Sequence, residues 1–205
     1  MIDPDAFFTA PFDRCPVVVI IRGKSPAETV DLSRRAWRLG VTLVEVPIQD
    51  DQAVESLRAV VAAARAYGHP VGAGTVRTPG LVRVAVEAGA AFTVAPDWVP
   101  AVAAAAREAG LPHLPGVATP TEVGQAIADG HRWLKAFPAT ALGTSWFRAM
   151  SGPFPEAKLV AVGGVDPDNV AEFLAAGARA VGVGGVLRHE NALARLVAAA
   201  GGGAG

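Results

Sequence analysis

Residues 16–47, PVVVIIRGKSPAETVDLSRRAWRLGVTLVEVP, contain the repeating unit that decides the fold. A short β-branched run is followed by Ser-Pro-Ala-Glu at residues 25–28. This segment is typical of a helix start, because serine can cap a helix and proline suits its first position. Gly40 follows the amphipathic segment, where a glycine commonly ends a helix, and a second apolar run covers residues 43–47. The stretch therefore predicts a buried strand, a helix and a second buried strand.

The same unit recurs along the whole chain. The predicted strands are residues 16–22, 43–47, 71–74, 92–95, 112–115, 133–137, 159–162 and 180–183. The predicted helices are residues 25–39, 50–67, 79–88, 97–109, 119–129, 141–150, 166–176 and 191–200. Alternation of this kind predicts an α/β fold with a parallel sheet covered by helices, and eight units indicate closure into a (β/α)₈ TIM barrel. A doubly wound open sheet is the alternative.

The chain ends and the composition restrict the domain count, the possible partners and the location of the protein. We expect one domain over residues 1–205, a short helix at residues 3–10 against the barrel bottom, and a frayed glycine-rich end at residues 201–205. A formal net charge of −1 gives no basic field for nucleic acid or a membrane surface. No apolar run approaches the roughly 18 residues of a membrane span. The single cysteine, Cys15, excludes an internal disulfide and is expected in the core. A soluble cytoplasmic protein is expected, without a signal peptide in residues 1–10.

Three charged residues lie within or at the end of predicted strands. They are Arg22, Glu45 and Lys135, and Lys135 is one of only three lysines in the chain. Because side chains alternate along a strand, Glu45 and Lys135 are expected to point into the barrel while their neighbours face the helices. The sequence therefore predicts that two opposite charges meet in an apolar cavity, at the barrel end where catalytic groups lie.

This placement indicates a specific chemistry. Burial disfavours the ammonium form of lysine, and a neutral Lys135 could attack a ketone to form an imine. The iminium would then draw electrons from the neighbouring carbon–carbon bond, with Glu45 acting as base and acid through a water molecule. The alternative is a buried Lys–Glu ion pair that only stabilises the barrel, although its desolvation makes such a pair costly.

Two Gly-Gly pairs follow the last two predicted strands. They are Gly163 with Gly164 and Gly184 with Gly185. TIM barrels frequently bind phosphate at these positions, where backbone N–H groups act as donors and glycine permits close approach. The sequence therefore predicts a phosphate site, and tight turns alone are the alternative.

The remaining candidates leave alternatives open. Thr75 could bind a substrate carboxylate or cap the next helix, and Arg22 could pair with that carboxylate, pair with Glu45, or lie in solvent. We expect Pro96 to follow a strand end and to shape the cavity mouth. The four histidines lie apart in the sequence with no pairing at metal-ligand spacing, so metal-dependent bond cleavage is disfavoured and no metal or cofactor is predicted. They are His69, His113, His131 and His189.

Five segments together resemble one enzyme family over nearly the whole chain. They are Val44-Glu-Val-Pro-Ile, Val71-Gly-Ala-Gly-Thr-Val, Leu114-Pro-Gly-Val-Ala-Thr, Leu134-Lys-Ala-Phe-Pro-Ala and Ala161-Val-Gly-Gly-Val. Their order and spacing resemble the 2-keto-3-deoxy-6-phosphogluconate (KDPG) aldolase family, which includes phosphogalactonate and 4-hydroxy-2-oxoglutarate (KHG) aldolases.

The resemblance implies roles for several residues. It implies a Schiff-base lysine at Lys135, an acid/base glutamate at Glu45, and a pyruvate pocket lined by Thr75, Pro96 and Phe137. It also implies a homotrimer that needs no metal and releases pyruvate together with an aldehyde, usually glyceraldehyde 3-phosphate.

Three positions depart from the phosphogluconate-type pattern. Gln49 stands where those members carry the arginine that holds the pyruvyl carboxylate, and we hypothesise that Arg22 supplies the charge instead. Val162 replaces a threonine that would contact the sugar's 4-hydroxyl, so the galactonate type fits better. Val186 replaces a serine that many members offer to phosphate, which leaves a non-phosphorylated substrate open. A phosphate-binding isomerase or synthase, and a non-catalytic ligand-binding barrel, are the rival interpretations.

Overall fold

The computed structural model describes residues 3–189 and 191–202, and its strands form one parallel sheet. The strands are β1 Val17–Ile20, β2 Leu43–Pro47, β3 Val71–Gly74, β4 Phe92–Val94, β5 His113–Leu114, β6 Gly116–Val117, β7 Trp133–Ala136, β8 Lys158–Val162 and β9 Ala180–Val183. Their order in the sheet is β5-β4-β3-β2-β1-β9-β8-β7-β6. Because β5 and β6 are consecutive in the chain, the two edges of the sheet meet there. The predicted (β/α)₈ TIM barrel is confirmed.

The predicted fifth strand, residues 112–115, corresponds to β5, and after an interruption at Pro115 the chain continues as β6, which was not predicted. Proline has no N–H group, so it cannot donate to a neighbouring strand. Its carbonyl oxygen still accepts a hydrogen bond from the Lys135 amide at 2.8 Å, and the Gly116 amide donates to the Asp97 carbonyl at 3.2 Å. The barrel is therefore closed through one interrupted strand that bonds to both of its neighbours.

Helices cover the outside of the sheet and one end of the barrel. They are α1 Pro4–Arg14, α2 Pro26–Arg38, α3 Asp51–Ala64, α4 Pro79–Glu87, α5 Pro100–Glu108, α6 Pro120–Ala128, α7 Ala139–Ser151, α8 Val170–Ala175 and α9 Ala192–Ala199, with a 3₁₀ helix at Gly185–Arg188. The predicted start of α2 is confirmed, because Ser25 and Glu28 form a reciprocal capping box. None of the helices in the described part of the chain is long and apolar enough to cross a membrane.

Several predicted helix boundaries were wrong. Helix α8 begins at Val170 rather than at residue 166, because the Asp166 carboxylate accepts hydrogen bonds from the amides of Asp168 and Asn169 and holds a turn there. Helix α7 is interrupted at Gly143, whose φ of 75° and ψ of 161° are not helical. Helix α5 begins three residues later than predicted, and α1 continues four residues further.

The chain end after α9 also differs from the prediction. Gly202 is buried, and its amide donates to the Val197 carbonyl at 2.9 Å, so Gly201 and Gly202 continue the packed structure instead of fraying. Residues 203–205 of the predicted frayed end lie outside the described residues.

The core has two layers, which fix the direction of each strand side chain. Val44 and Val46 belong to the layer between sheet and helices, whereas Leu43 belongs to the cluster inside the barrel. Phe8 and Phe12 of α1 enter that inner cluster, where the Phe12 ring lies 4.8 Å from Trp133 between centroids. The predicted helix against the barrel bottom is confirmed, and the opposite end of the barrel stays open for a site.

Candidate active site

Lys135 lies on β7 with its amine at the open end of the barrel. Its neighbours Leu134 and Ala136 pack in the outer layer, which directs Lys135 inward. The side chain is buried, with 5% of its surface exposed, and its Nζ atom lies 5.4 Å from the centroid of the Phe137 ring. An amine is therefore held among apolar groups, as the strand alternation predicted.

Glu45 lies on β2 inside the same end of the barrel. It is 1% exposed, and its Oε1 atom has no hydrogen-bond partner. Burial raises the pKa of the Glu45 carboxyl above its ordinary 4.5, and the positive charges of Lys135 and Arg22 partly oppose that rise. Although the structure describes all three side chains, no direct ion pair joins Glu45 to either cation. A Cβ atom at Gly74 would collide with Oε1, so this glycine makes room for the carboxyl group.

Arg22, Gln49 and Thr75 form a polar group at the ends of β1, β2 and β3. Arg22 donates from Nη1 to the Gln49 side-chain oxygen at 2.8 Å and from Nη2 to the Thr75 hydroxyl at 3.3 Å. Thr75 has a φ of 59°, a strained backbone conformation for a β-branched residue. The cap of α4 is Thr78, so the alternative in which Thr75 caps that helix was wrong.

The glycine pair after β8 is held against the segment that follows β7. Gly163 and Gly164 have φ values of 101° and 79°, which favour glycine. The Gly163 carbonyl accepts from the amide and from the hydroxyl of Thr140, at 3.1 and 3.2 Å. A Cβ atom at Gly164 would collide with the Thr140 side chain. The amides of Gly164 and Gly185 donate no hydrogen bond to another described residue, so both are free to meet an anion.

A cavity of about 610 Å³ opens beside Lys135 and runs past the glycines. Nine of the predicted site residues line it: Arg22, Pro96, Lys135, Phe137, Val162, Gly163, Gly164, Gly184 and Gly185. Gln49 lines a small hollow of about 60 Å³ that shares Arg22 with the large cavity. Glu45 and Thr75 are not on the wall of the large cavity, but the charge of Glu45 acts on the same amine. A volume of this size is typical of small-molecule sites.

Comparison with known proteins identifies the family of the chain. A model of the family described as KDPG and KHG aldolase matches residues 10–197. The chain belongs to this family. The predicted enzyme class, an aldolase among the carbon–carbon lyases, is confirmed.

Individual relatives support the same assignment. The chain is 36% identical to a probable 2-dehydro-3-deoxy-6-phosphogalactonate aldolase of Rhizobium meliloti, over 86% of this chain and 83% of the relative. It is 33% identical to the 2-dehydro-3-deoxy-6-phosphogalactonate aldolase of Escherichia coli, over 83% of each chain. A KDPG aldolase of Legionella pneumophila, solved with pyruvate captured as a covalent carbinolamine, superposes with a TM-score of 0.84 at 27% identity over 97% of each chain. The predicted likeness to the galactonate-type members is confirmed.

Sequence reasoning missed several residues of this enzyme's cavity. Asp168, His189 and Arg195 line the cavity. Thr140 and Asn169 fix the glycine pair, since the Thr140 hydroxyl donates to the Gly163 carbonyl and the Asn169 amide nitrogen donates to the Gly164 carbonyl at 3.0 Å. Only the Asp-Pro-Asp segment at residues 166–168 gave a local signal, and it indicates a helix start equally well.

Two of the four histidines, which show no pairing at metal-ligand spacing in the sequence, meet in the folded chain. The rings of His113 and His131 lie 5.8 Å apart between centroids, although 18 positions separate them in sequence. They meet because β5 and β7 begin side by side across the closed barrel. This pair lies at the opposite end of the strands from Lys135.

Proposed function

We propose that the enzyme is a class I aldolase that cleaves a 2-keto-3-deoxy-6-phospho sugar acid to pyruvate and glyceraldehyde 3-phosphate. The reaction would run through an imine on Lys135. One observation carries the proposal: a buried amine faces a cavity and has no carboxylate in direct contact. A lysine that only stabilised the barrel would be expected in an ion pair, as Lys158 is with Asp5 at 2.7 Å.

The chemistry follows from the proton and electron requirements of the reaction. The neutral Lys135 amine adds to the 2-keto carbon, and loss of water with a proton supplied by the Glu45 acid gives an iminium ion and the Glu45 carboxylate, which takes that proton back when the iminium ion is finally hydrolysed. The Glu45 carboxylate, acting through a water molecule, takes the proton from the 4-hydroxyl as the C3–C4 bond breaks. The electron pair passes to the iminium, which becomes an enamine, and the aldehyde leaves. Glu45 returns the proton to C3, and hydrolysis then releases pyruvate and the free amine.

Two opposing influences act on the pKa of Glu45. Burial is the larger one and raises it, whereas the charges of Lys135 and Arg22 favour the carboxylate. A raised pKa moves a carboxyl group toward the working pH, where a general acid/base functions best.

Arg22 supports the proposal at the keto-acid end. We propose that its guanidinium supplies the charge for the pyruvyl carboxylate, which Gln49 lacks. Its contacts with Gln49 and Thr75 hold it at the edge of the cavity, and a guanidinium has five N–H donors, of which these two contacts use two. Thr75 and Gln49 would then position Arg22 and share in binding the carboxylate.

The two glycine pairs on the cavity wall support a phosphorylated substrate. We propose that Gly163, Gly164, Gly184 and Gly185 bind phosphate through backbone amides, of which those of Gly164 and Gly185 are free. Val162 faces the cavity with an apolar surface where a hydroxyl would contact the sugar, which favours the galactonate-type substrate. The two relatives named for phosphogalactonate agree with that choice.

A second candidate rests on Val186. This residue is buried and lines the cavity beside the glycines. Because it is a valine, it offers phosphate no hydroxyl. It favours a non-phosphorylated substrate such as 4-hydroxy-2-oxoglutarate, which would be cleaved by the same imine chemistry.

The test is borohydride reduction of the enzyme in the presence of pyruvate, read by intact and peptide mass spectrometry. We expect a single pyruvyl adduct on Lys135 and none in Lys135→Met. The other lysines serve as internal controls, because Lys24 pairs with Glu28 and Lys158 pairs with Asp5 away from the cavity. No adduct, or an adduct on Lys24 or Lys158, would move the assignment to a phosphate-binding isomerase or a non-catalytic barrel.

We also propose the homotrimer and the cytoplasmic location that the family resemblance implies. Sedimentation equilibrium of the purified enzyme measures the first. A mass of one or two chains would contradict it.

A further inference from the structure

The wall of the cavity carries an ion pair that bridges two elements. Arg195 on α9 donates from Nη2 to the Asp168 carboxylate at 2.9 Å, and Asp168 lies in the turn after β8. Both residues line the same cavity as Lys135 and the glycine pairs. Arg195 retains 65% of its side-chain surface exposed. A guanidinium with four further N–H donors is therefore open to a ligand in this cavity.

Two carboxylates lie near the glycines, and Arg195 is placed to offset their charge. Asp166 and Asp168 both lie on the cavity wall, beside glycine amides that carry no net charge. A dianionic group bound there meets two carboxylates, which would repel it at this short range. Asp166 is turned toward the amides of Asp168 and Asn169, whereas Asp168 is held by Arg195. Two described arginines line this cavity, Arg22 and Arg195. Arg22 is bonded to Gln49 and Thr75, whereas Arg195 is bonded to one of these carboxylates and can offset its repulsion.

We infer that Arg195 recognises a phosphomonoester at the end of the substrate opposite to the keto acid, and that Asp168 weakens this recognition by competing for the same guanidinium. The inference rests on the proposed aldolase function and adds to it a residue that selects phosphorylated over neutral aldehydes. Val186 removes a hydroxyl donor beside the glycines, so charge recognition gains importance there. Arg195 forms part of a binding surface and takes no part in bond cleavage.

The test measures condensation of pyruvate with three aldehydes in the whole enzyme: glyceraldehyde 3-phosphate, glyceraldehyde and glyoxylate. Arg195→Ala is expected to raise the KM for the phosphorylated aldehyde about tenfold, the loss expected for a charge-assisted hydrogen bond. It should leave the KM for glyceraldehyde unchanged. Arg195→Lys should restore part of the loss, because it keeps the charge without the planar fork.

Replacing Asp168 should change the KM for glyceraldehyde 3-phosphate in the opposite direction. Asp168→Asn keeps the shape of the side chain and removes the competing charge, so it should lower the KM for glyceraldehyde 3-phosphate about twofold to threefold. Arg148→Ala is the matched control, because Arg148 is an exposed arginine on α7 that bonds to Thr144 outside the cavity. It should change no KM.

Imine trapping separates failure of this inference from failure of the proposed function. If the wild-type enzyme forms no pyruvyl adduct on Lys135, the proposed function fails. If the adduct forms equally in wild type and Arg195→Ala, the KM values for the three aldehydes decide whether the inference holds. Equal losses with glyceraldehyde and its phosphate would mean that Arg195 only supports the fold, and a loss confined to glyoxylate would assign it to a short carboxylate. Either result, or no loss at all, overturns the inference.

Discussion

Two buried polar clusters lie at opposite ends of the strands, and burial shifts the pKa of a group in each cluster in opposite directions. Glu45 lies near Lys135 at the open end, inside the barrel. His113 lies at the start of β5, between the sheet and the helices, where its Nδ1 atom is 2.8 Å from the Thr93 hydroxyl and its ring contacts His131. Burial raises the pKa of Glu45 and lowers the pKa of His113 to about 3, so both groups are driven toward their neutral forms.

The difference lies in what surrounds each neutral group. At the open end, two cations oppose the neutral form of Glu45, and a cavity of about 610 Å³ lies beside the amine. At the other end, the charge of His131 acts in the same direction as burial on His113, and the adjoining hollow is about 210 Å³. Glu45 therefore lies near cations and a cavity that can hold a substrate, whereas burial and His131 both favour the neutral form of His113. A group held neutral can contribute only to packing and to acid sensitivity.

Removal of the amine at the open end is expected to have the largest effect. Lys135→Met should reduce kcat by about ten-thousandfold or more, because no other group can form the imine. Its free energy of unfolding should be unchanged or higher, since replacing a buried charge by an apolar side chain is often neutral or stabilising. Steady-state kinetics and urea unfolding measure the two quantities. A large loss of stability would show that Lys135 supports the barrel as well.

Replacing the carboxyl group of Glu45 tests whether this residue transfers protons at the open end. Glu45→Gln should still form the imine with pyruvate, but exchange of the pyruvate methyl protons in deuterated water should slow about a thousandfold. Proton exchange followed by nuclear magnetic resonance measures the rate, and borohydride trapping confirms the imine. Exchange at the wild-type rate would remove Glu45 from its acid/base role.

The histidine cluster should respond to pH through stability rather than catalysis. The ordinary pKa of 6.5 applies to His113 in the unfolded chain, and the folded value is about 3, so protons bind preferentially to the unfolded chain below about pH 6.5. The free energy of unfolding should therefore fall as the pH drops, with a contribution from His113 of about 3 kcal/mol at pH 4.5.

His113→Gln isolates that contribution, because glutamine keeps a hydrogen-bonding side chain that does not titrate. The stability lost between pH 7.5 and pH 4.5, measured by urea unfolding, should be about 3 kcal/mol smaller in the variant than in wild type. Its kcat at pH 7.5 should stay close to that of wild type. An identical pH dependence in both proteins would show that His113 is not the group that titrates.

The barrel and the inward direction of Glu45 and Lys135 could be predicted because both depend on local periodicity. Glu45 and Lys135 each lie between two apolar neighbours on a short strand, so alternation alone turns them inward. The family resemblance then indicated which of the inward groups carry the chemistry. Helix starts were predicted well where a reciprocal cap exists, as at Ser25, and poorly where an aspartate holds a turn, as at Asp166.

The contacts that could not be predicted join distant parts of the chain. Arg195 meets Asp168 only because α9 packs beside α8, and His113 meets His131 only because the barrel closes between β5 and β7. Neither pair has a fixed spacing in sequence that would indicate contact. Pairings of this kind depend on the helix packing and on the position of closure, which the hydrophobic pattern does not determine.

The smallest effect is expected at the rim of the open end, where Arg22 and Gln49 are hydrogen-bonded to each other. If Arg22 carries the charge for the pyruvyl carboxylate, Arg22→Ala should raise the KM for pyruvate about tenfold, because a charge-assisted contact is lost. Gln49→Ala removes a neutral contact and one support of Arg22, so a rise of about threefold is expected. Pyruvate KM values in the condensation direction measure both. Equal effects would mean that the two residues act as one unit, and that Arg22 does not compensate for the missing arginine.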